Sequence, residues 1–224
     1  MKLLIVDLET TGLETSEGAQ AIELAAILFS VPFRTALQTV SILLPTDENP
    51  ASHINGIDPI ITNLEQPWRT GLAMFREMAA AADYAVAHNS DFDSKFFGVG
   101  RLEPLHLQWL CTMTTFSWGD LPGRSLRDLA LAHGIAVMPD VHRALPDCHL
   151  LASVLSKRDD LEELIAKAAE PRHTYRAVVS FAEKDQAKHR GFRWNPERRE
   201  WHRKLTAAEA NRFRSEGLHL AKVA

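Results

Sequence analysis

The sequence predicts an α/β protein: a three-layer domain over residues 1–170 followed by a small α+β domain over residues 171–224. Three observations carry this. Strand-like segments come first and then alternate with helical ones, the order of an α/β layered domain. Residues 175–224 restart as β-α-β-β-α-β, a complete small unit with its own pattern. Charge divides at the same joint: residues 1–170 hold 12 Lys+Arg against 23 Asp+Glu, net −11, and residues 171–224 hold 13 against 6, net +7.

Each element has its own warrant. Residues 2–8 (KLLIVDL) are β-rich and apolar, the pattern of a buried strand. Gly12 and Gly18 break the chain into a turn over residues 10–18. Residues 21–30 (AIELAAILFS) and 35–44 continue as strands of an antiparallel meander, although propensity alone also allows a helix for the former. A loop containing Pro45, Pro50, Gly56 and Pro59 leads to a helix near residues 67–82, with Pro67 in its first turn. Residues 84–87 form a short strand and residues 91–97 open a helix. Ser125 caps a helix that runs to His133 and stops at Gly134. Pro146 sits early in a helix reaching Lys157, and residues 159–169 repeat apolar positions at helical spacing.

In the tail, residues 175–181 alternate as a strand and residues 182–190 form a helix ended by Gly191. Residues 192–194 and 200–203 flank a turn on Asn195-Pro196, a hairpin pattern. Thr206 and Glu209 make a capping box for a helix that Gly217 ends, and residues 218–223 close as a strand.

Composition excludes several classes. A chain of 224 residues, 46% hydrophobic and 24% charged, can bury a sizeable core. No apolar run approaches the roughly 18 residues of a membrane-spanning helix. Residues 1–8 lack the longer apolar core and small-residue cleavage site of a secretion signal, so a cytoplasmic protein without membrane attachment is expected. Cys111 and Cys148 are too few for a disulfide scaffold or a four-cysteine zinc site. An acidic body joined to a basic tail suggests one part that handles cations and one that meets an anion.

The acidic residues sharpen this. Asp7 and Glu9 stand two apart at the end of an apolar strand, so both project to one face. Buried together they call for a cation, and oxygen donors of this kind suit Mg²⁺ or Mn²⁺. Taken alone, the pair equally begins a solvated loop. His88-Asn89-Ser90-Asp91-Phe92-Asp93 follows the strand at 84–87, and His142 precedes Asp147 by five residues at the start of a helix. Either acid alone needs no more than a helix-dipole role. All of them in this order demand a common explanation.

Asp7-Leu8-Glu9-Thr10-Thr11-Gly12-Leu13, His88-Asn89-x-x-Phe92-Asp93 and His142-x4-Asp147 resemble the DEDDh 3′–5′ exonucleases, the superfamily of the proofreading epsilon subunit of bacterial replicative polymerase. The segments at 21–25, 55–57 and 125–134 fit the same pattern, and the resemblance covers residues 1–157. It implies an RNase H-like five-stranded domain. It also implies two divalent cations about 4 Å apart, Mg²⁺ or Mn²⁺, held by Asp7, Glu9, Asp93 and Asp147. His142 would be the general base. The tyrosine variant of the family needs Tyr where this chain has Arg143. Thr10, Thr11, Gly12 and Leu13 would hold the 3′-terminal nucleotide, with Leu13 wedged against a base, while Asn89 and Phe92 orient the second motif. Glu23 and His88 are equally explained by core or hydrogen-bonding roles.

The tail interleaves Phe192, Arg193, Trp194 and Trp201 with further arginines, resembling a small GFRW…W module attached to DNA-processing proteins. Arg193, Trp194 and Trp201 are candidates for phosphate contact and base stacking. In a unit this small, Phe192, Trp194 and Trp201 are expected first as its core, with base stacking the second reading. The expected function is hydrolysis at the 3′ end of single-stranded DNA to nucleoside 5′-monophosphates, DNA ranking ahead of RNA. The alternatives are a 3′–5′ exoribonuclease and a non-catalytic binder of nucleic-acid ends.

Overall fold

The structure, a computed structural model, describes residues 1–119, 125–137 and 143–223. Two compact units are present, Met1–Ala169 and Glu170–Ala224. The first contains strands Lys2–Thr10 (β1), Ala21–Ser30 (β2), Thr35–Leu43 (β3), Tyr84–Ala87 (β4) and Trp109–Cys111 (β5). Its helices are Ser52–Asn55 (α1), Pro59–Thr62 (α2), Trp68–Ala80 (α3), Ser90–Asp93 (α4), Leu126–Ala132 (α5), Ala144–Ser156 (α6) and Leu161–Ala168 (α7).

The sheet order is β3-β2-β1-β4-β5. β1, β2 and β3 are an antiparallel meander, while β4 runs parallel to β1 and β5 parallel to β4. All ten residues of β2 are buried. Flanked by strands on both edges and covered on both faces, this segment is held as a strand by tertiary burial, which overrides the helix propensity of its Ala, Leu and Glu residues.

Alternation along the strands builds two apolar layers. Leu3, Ile5, Ala25, Ile27 and Phe29 face Leu129, Leu151, Leu155 and Leu164 of α5, α6 and α7. Leu4, Val6, Leu24, Ala26 and Leu28 face Phe75 and Met78 of α3 together with Phe96. This is the three-layer α/β domain, with the mixed five-stranded sheet of the RNase H-like fold.

Ser125 caps α5 through the Asp128 amide at 3.1 Å, and Gly134 takes φ 69° beyond its end. Two details of this unit differ from the sequence-based expectation. The long proline-containing loop folds into α1 and α2, and the three-residue β5 carries too short a pattern to be recognised.

The second unit comprises His173–Ala177 (β6), Lys184–His189 (α8), Arg193–Asn195 (β7), Glu200–Leu205 (β8), Ala207–Ser215 (α9) and Leu220–Lys222 (β9). Its antiparallel sheet has the order β7-β8-β6-β9. Tyr175, Ala177, Ala187, Phe192, Leu205, Ala210, Phe213 and Leu218 form a core of its own. The first strand stops at Ala177 rather than reaching residue 181. Ser180 and Glu183 form a capping box that turns Phe181–Glu183 into a 3-10 helix ahead of α8.

Helix α3 lies so close to β3 that a Cβ on Gly71 would stand 2.3 Å from Ile42 Cγ2. Alanine at a helix interior gains about 0.5–1 kcal/mol over glycine, whereas overpacking costs about 1–3 kcal/mol. Gly71→Ala is therefore expected to lower the urea midpoint of unfolding. A raised midpoint would contradict the close approach.

Candidate active site

On β1 the odd residues Leu3 and Ile5 belong to the layer covered by α6, and the same face continues into Asp7 and Glu9. Helix α6 places Asp147 in its first turn. Asp7, Glu9 and Asp147 each offer a carboxylate oxygen, and these oxygens lie within 4.8 Å of one another. The apolar stripe of a strand thus ends in a carboxylate cluster.

Asp93 closes the other side. β1 pairs with β4 only as far as Ile5↔Val86, so the Leu8 amide lies beyond the parallel ladder. Asp93 Oδ1 accepts that N–H at 3.2 Å, and the side chain is buried. A carboxylate substitutes for the missing strand bond and is held beside Asp7 by doing so.

Electrostatics mark these groups as under-neutralised. Burial raises Asp7 well above its ordinary value, and the negative charges of Asp93, Asp147, Glu9 and Glu23 add to this. Glu9 is pushed up to about 7 by burial, then by Glu23 and Asp147, against a lowering by Arg143. Asp93 rises to about 7 through burial, although hydrogen bonds from its own backbone and Leu8 act in the opposite direction. Several oxygen donors on a desolvated, mutually repelling site fit a hard divalent cation.

The structure assigns Glu23 and Arg143 a larger part than sequence reasoning gave them. Glu23 sits opposite Glu9 in the β1–β2 register, and its side chain is only 2% exposed. Arg143 donates Nε and Nη2 to its two carboxylate oxygens at 2.8 and 2.7 Å. The Ala144 amide, at the start of α6, donates to Glu23 at 3.1 Å. The buried acid therefore anchors the N-terminal end of the helix that carries Asp147. One glutamate inside an otherwise apolar strand was the available signal, since a buried charge requires a partner.

The segment after β1 is also well tied. Thr10 Oγ1 donates to the Gly12 carbonyl at 2.7 Å, and Thr11 Oγ1 accepts from the Gln20 amide at 3.0 Å. Asn55 Nδ2 donates to the Thr10 carbonyl at 3.2 Å, which gives the 55–57 segment a structural role. A Cβ on Gly12 would approach Ala19 Cβ at 3.3 Å. Leu13 is 72% exposed, and Lys95 Nζ donates to its carbonyl at 3.3 Å.

In the second motif, Asn89 is exposed and Phe92 is half-buried with its ring 5.2 Å from Phe96. His88 Nδ1 lies 3.0 Å from Thr112 Oγ1, a bond that braces β4 against the end of β5. His142 lies outside the described residues. In the other unit, Arg193 and Trp194 are exposed on β7, while Trp201 is half-buried and packed against the core.

Residues 4–155 match the exonuclease family (RNase_T), and residues 173–215 match a domain of unknown function (DUF8626). No curated protein matches the chain in sequence. Among solved structures, exonuclease X in complex with 5′-overhanging duplex DNA is similar at 24% identity and TM-score 0.54, covering 74% of this chain and 97% of that one. The nuclease domain of 3′hExo, a DEDDh family member bound to rAMP, is similar at 16% identity and TM-score 0.57, over 72% and 92%. A zinc-bound E. coli ExoI–ssDNA complex is similar at 15% identity and TM-score 0.57, over 81% of this chain and 48% of that one.

Two outcomes are expected from this geometry. A carboxyl whose folded pKa is raised stabilises the fold fully below its unfolded pKa, and that stabilisation is lost as pH rises through the folded value. In EDTA the melting temperature should therefore fall, relative to Asp93→Asn, as pH rises from 3.8 to about 7. Parallel curves would contradict the buried setting of Asp93. Arg143→Ala should destabilise by about 2 kcal/mol by stranding Glu23, and adding Glu23→Ala should recover part of the loss. Strictly additive losses would contradict the anchor.

Proposed function

This chain belongs to the exonuclease family, and from that premise we propose a metal-dependent 3′–5′ exonuclease that acts on the 3′ end of single-stranded DNA and releases nucleoside 5′-monophosphates. The observation that carries this reading is the meeting of Asp7, Glu9 and Asp147 within 4.8 Å, with Asp93 bonded to the Leu8 amide alongside. These four carboxylates are the residues that would hold two divalent cations, Mg²⁺ or Mn²⁺. Bound cations supply charge stabilisation for the attacking and leaving oxygens of an in-line phosphoryl displacement.

The chain's own groups supply the rest. His142 is assigned as the general base that takes the proton of the attacking water, because imidazole titrates near neutral pH. Arg143 is fixed to Glu23 through two hydrogen bonds, which ties the start of α6 to β2. Thr10, Thr11 and Gly12 form a braced turn in which backbone can approach a terminal nucleotide closely. Leu13, whose side chain is exposed, is assigned to wedge against a base. Asn89 and Phe92 belong to the short segment that delivers Asp93.

The basic second unit, net +7 over residues 171–224, is assigned to holding longer strands. An acidic nuclease unit gains from such a grip, since phosphate neutralisation dominates affinity for nucleic acid.

A time course on 5′-labelled single-stranded DNA and matched RNA, with Mg²⁺ or Mn²⁺, tests the reading. The expected result is a ladder shortening from the 3′ end, faster on DNA and absent in Asp7→Ala. Faster loss of RNA would reassign the substrate, and full activity in Asp7→Ala would overturn the site. His142→Ala should lower turnover by roughly 10²–10⁴-fold while keeping metal binding. An unchanged pH profile of the residual rate would remove His142 as the base.

A further inference from the structure

The second unit contains a cleft of about 510 Å³ between the end of β6, the start of α8 and the β7–β8 hairpin. Phe181, Trp194 and Trp201 supply its aromatic walls, Arg176, Lys184 and Arg199 supply positive charge, and Glu200 supplies one negative charge. Two of these aromatics cannot be explained as core. Phe181 is 83% exposed and Trp194 is 49% exposed, whereas Phe192 and Phe213 fill the interior. Trp201 bridges the two roles: it packs against the core, and its ring stands 5.6 Å from that of Trp194.

The cations are placed with the rings. Lys184 Nζ lies 4.0 Å from the centre of the Phe181 ring, so one face of that ring is beside a positive charge. Arg199 ends the hairpin turn with φ 51°, a left-handed conformation that glycine adopts more readily. Its side chain lines the cleft. Arg176 is partly neutralised by Glu200 at 3.9 Å, which leaves Lys184 and Arg199 as the principal charges.

We propose that this cleft binds single-stranded nucleic acid by stacking an unpaired base against Phe181 and Trp194, with the adjoining phosphates contacted by Lys184 and Arg199. Exposed aromatic faces favour a base of any identity, and the neighbouring cations favour its backbone. The net charge of +7 over residues 171–224 supplies the long-range attraction that an apolar partner would not need. Arg193 does not line the cleft, so its contribution would be general charge alone. The inference rests on the nuclease reading only in taking the same strand as ligand.

The test measures equilibrium binding of the full chain, in EDTA, to fluorescent oligothymidylate and to an abasic strand of equal length. The wild type should bind oligothymidylate at least about tenfold more tightly than the abasic strand. Phe181→Ala and Trp194→Ala should lose that preference yet still bind the abasic strand, which also reports an intact fold. Lys184→Ala and Arg199→Ala should weaken both and reduce the slope of log affinity against log salt by about 0.7 each. Equal wild-type affinity for the two strands, a preference retained in the aromatic variants, or binding to neither strand would overturn the cleft. Turnover of wild type with metal is scored separately: its absence sinks the nuclease reading and leaves the binding result standing.

Discussion

The nuclease unit depends on the repulsion among acids gathered at one end of β1. Asp7 and Glu9 continue a face that is otherwise leucine and isoleucine, Asp147 descends from α6, Asp93 is tied to the next amide, and Glu23 lies one strand away. Burial penalises the charges of Asp7, Glu9 and Asp93; neighbouring acids add to the penalty at Asp7 and Glu9, while burial alone carries Asp93 to about 7 against two hydrogen bonds. Such a set is tolerable because the surrounding structure fixes it. The three-layer core holds the strand, the Leu8 amide holds Asp93, and Arg143 neutralises the buried Glu23.

That arrangement divides labour among acids of the same type. Glu23 is spent on architecture: its three hydrogen bonds join β2 to the start of α6. Asp93 does two things, since the bond that locates it also completes the edge of β1. Asp7, Glu9 and Asp147 keep oxygens aimed at a common point. The second unit solves a different problem with opposite charge. Its small core uses Phe192 and Phe213 and leaves Phe181 and Trp194 outside, a distribution suited to contact rather than to stability.

Much of this was legible in the residues, for physical reasons. Alternation and apolar runs disclosed β1 to β4, and Ser125, Gly134, Thr206 and Glu209 disclosed helix ends because caps are local chemistry. The acidic motifs disclosed the exonuclease family, whose match spans residues 4–155 and so contains all of them. Long-range partners were not legible. Nothing local pairs Glu23 with Arg143, 120 residues away, and β5 is a strand only because β4 offers it a ladder. The division of the tail aromatics between core and surface was equally hidden, since Phe192 and Trp194 stand two residues apart and yet one is buried and the other exposed.

Calorimetric titration of the full chain with Mn²⁺ across pH tests the carboxylate assembly most directly. Ligation requires ionised carboxylates, so binding should tighten and release protons as pH rises between about 5 and 8, and should be lost in Asp7→Asn. Affinity that is independent of pH, or that survives in Asp7→Asn, would contradict the claim that these clustered acids form the metal-binding centre of the enzyme.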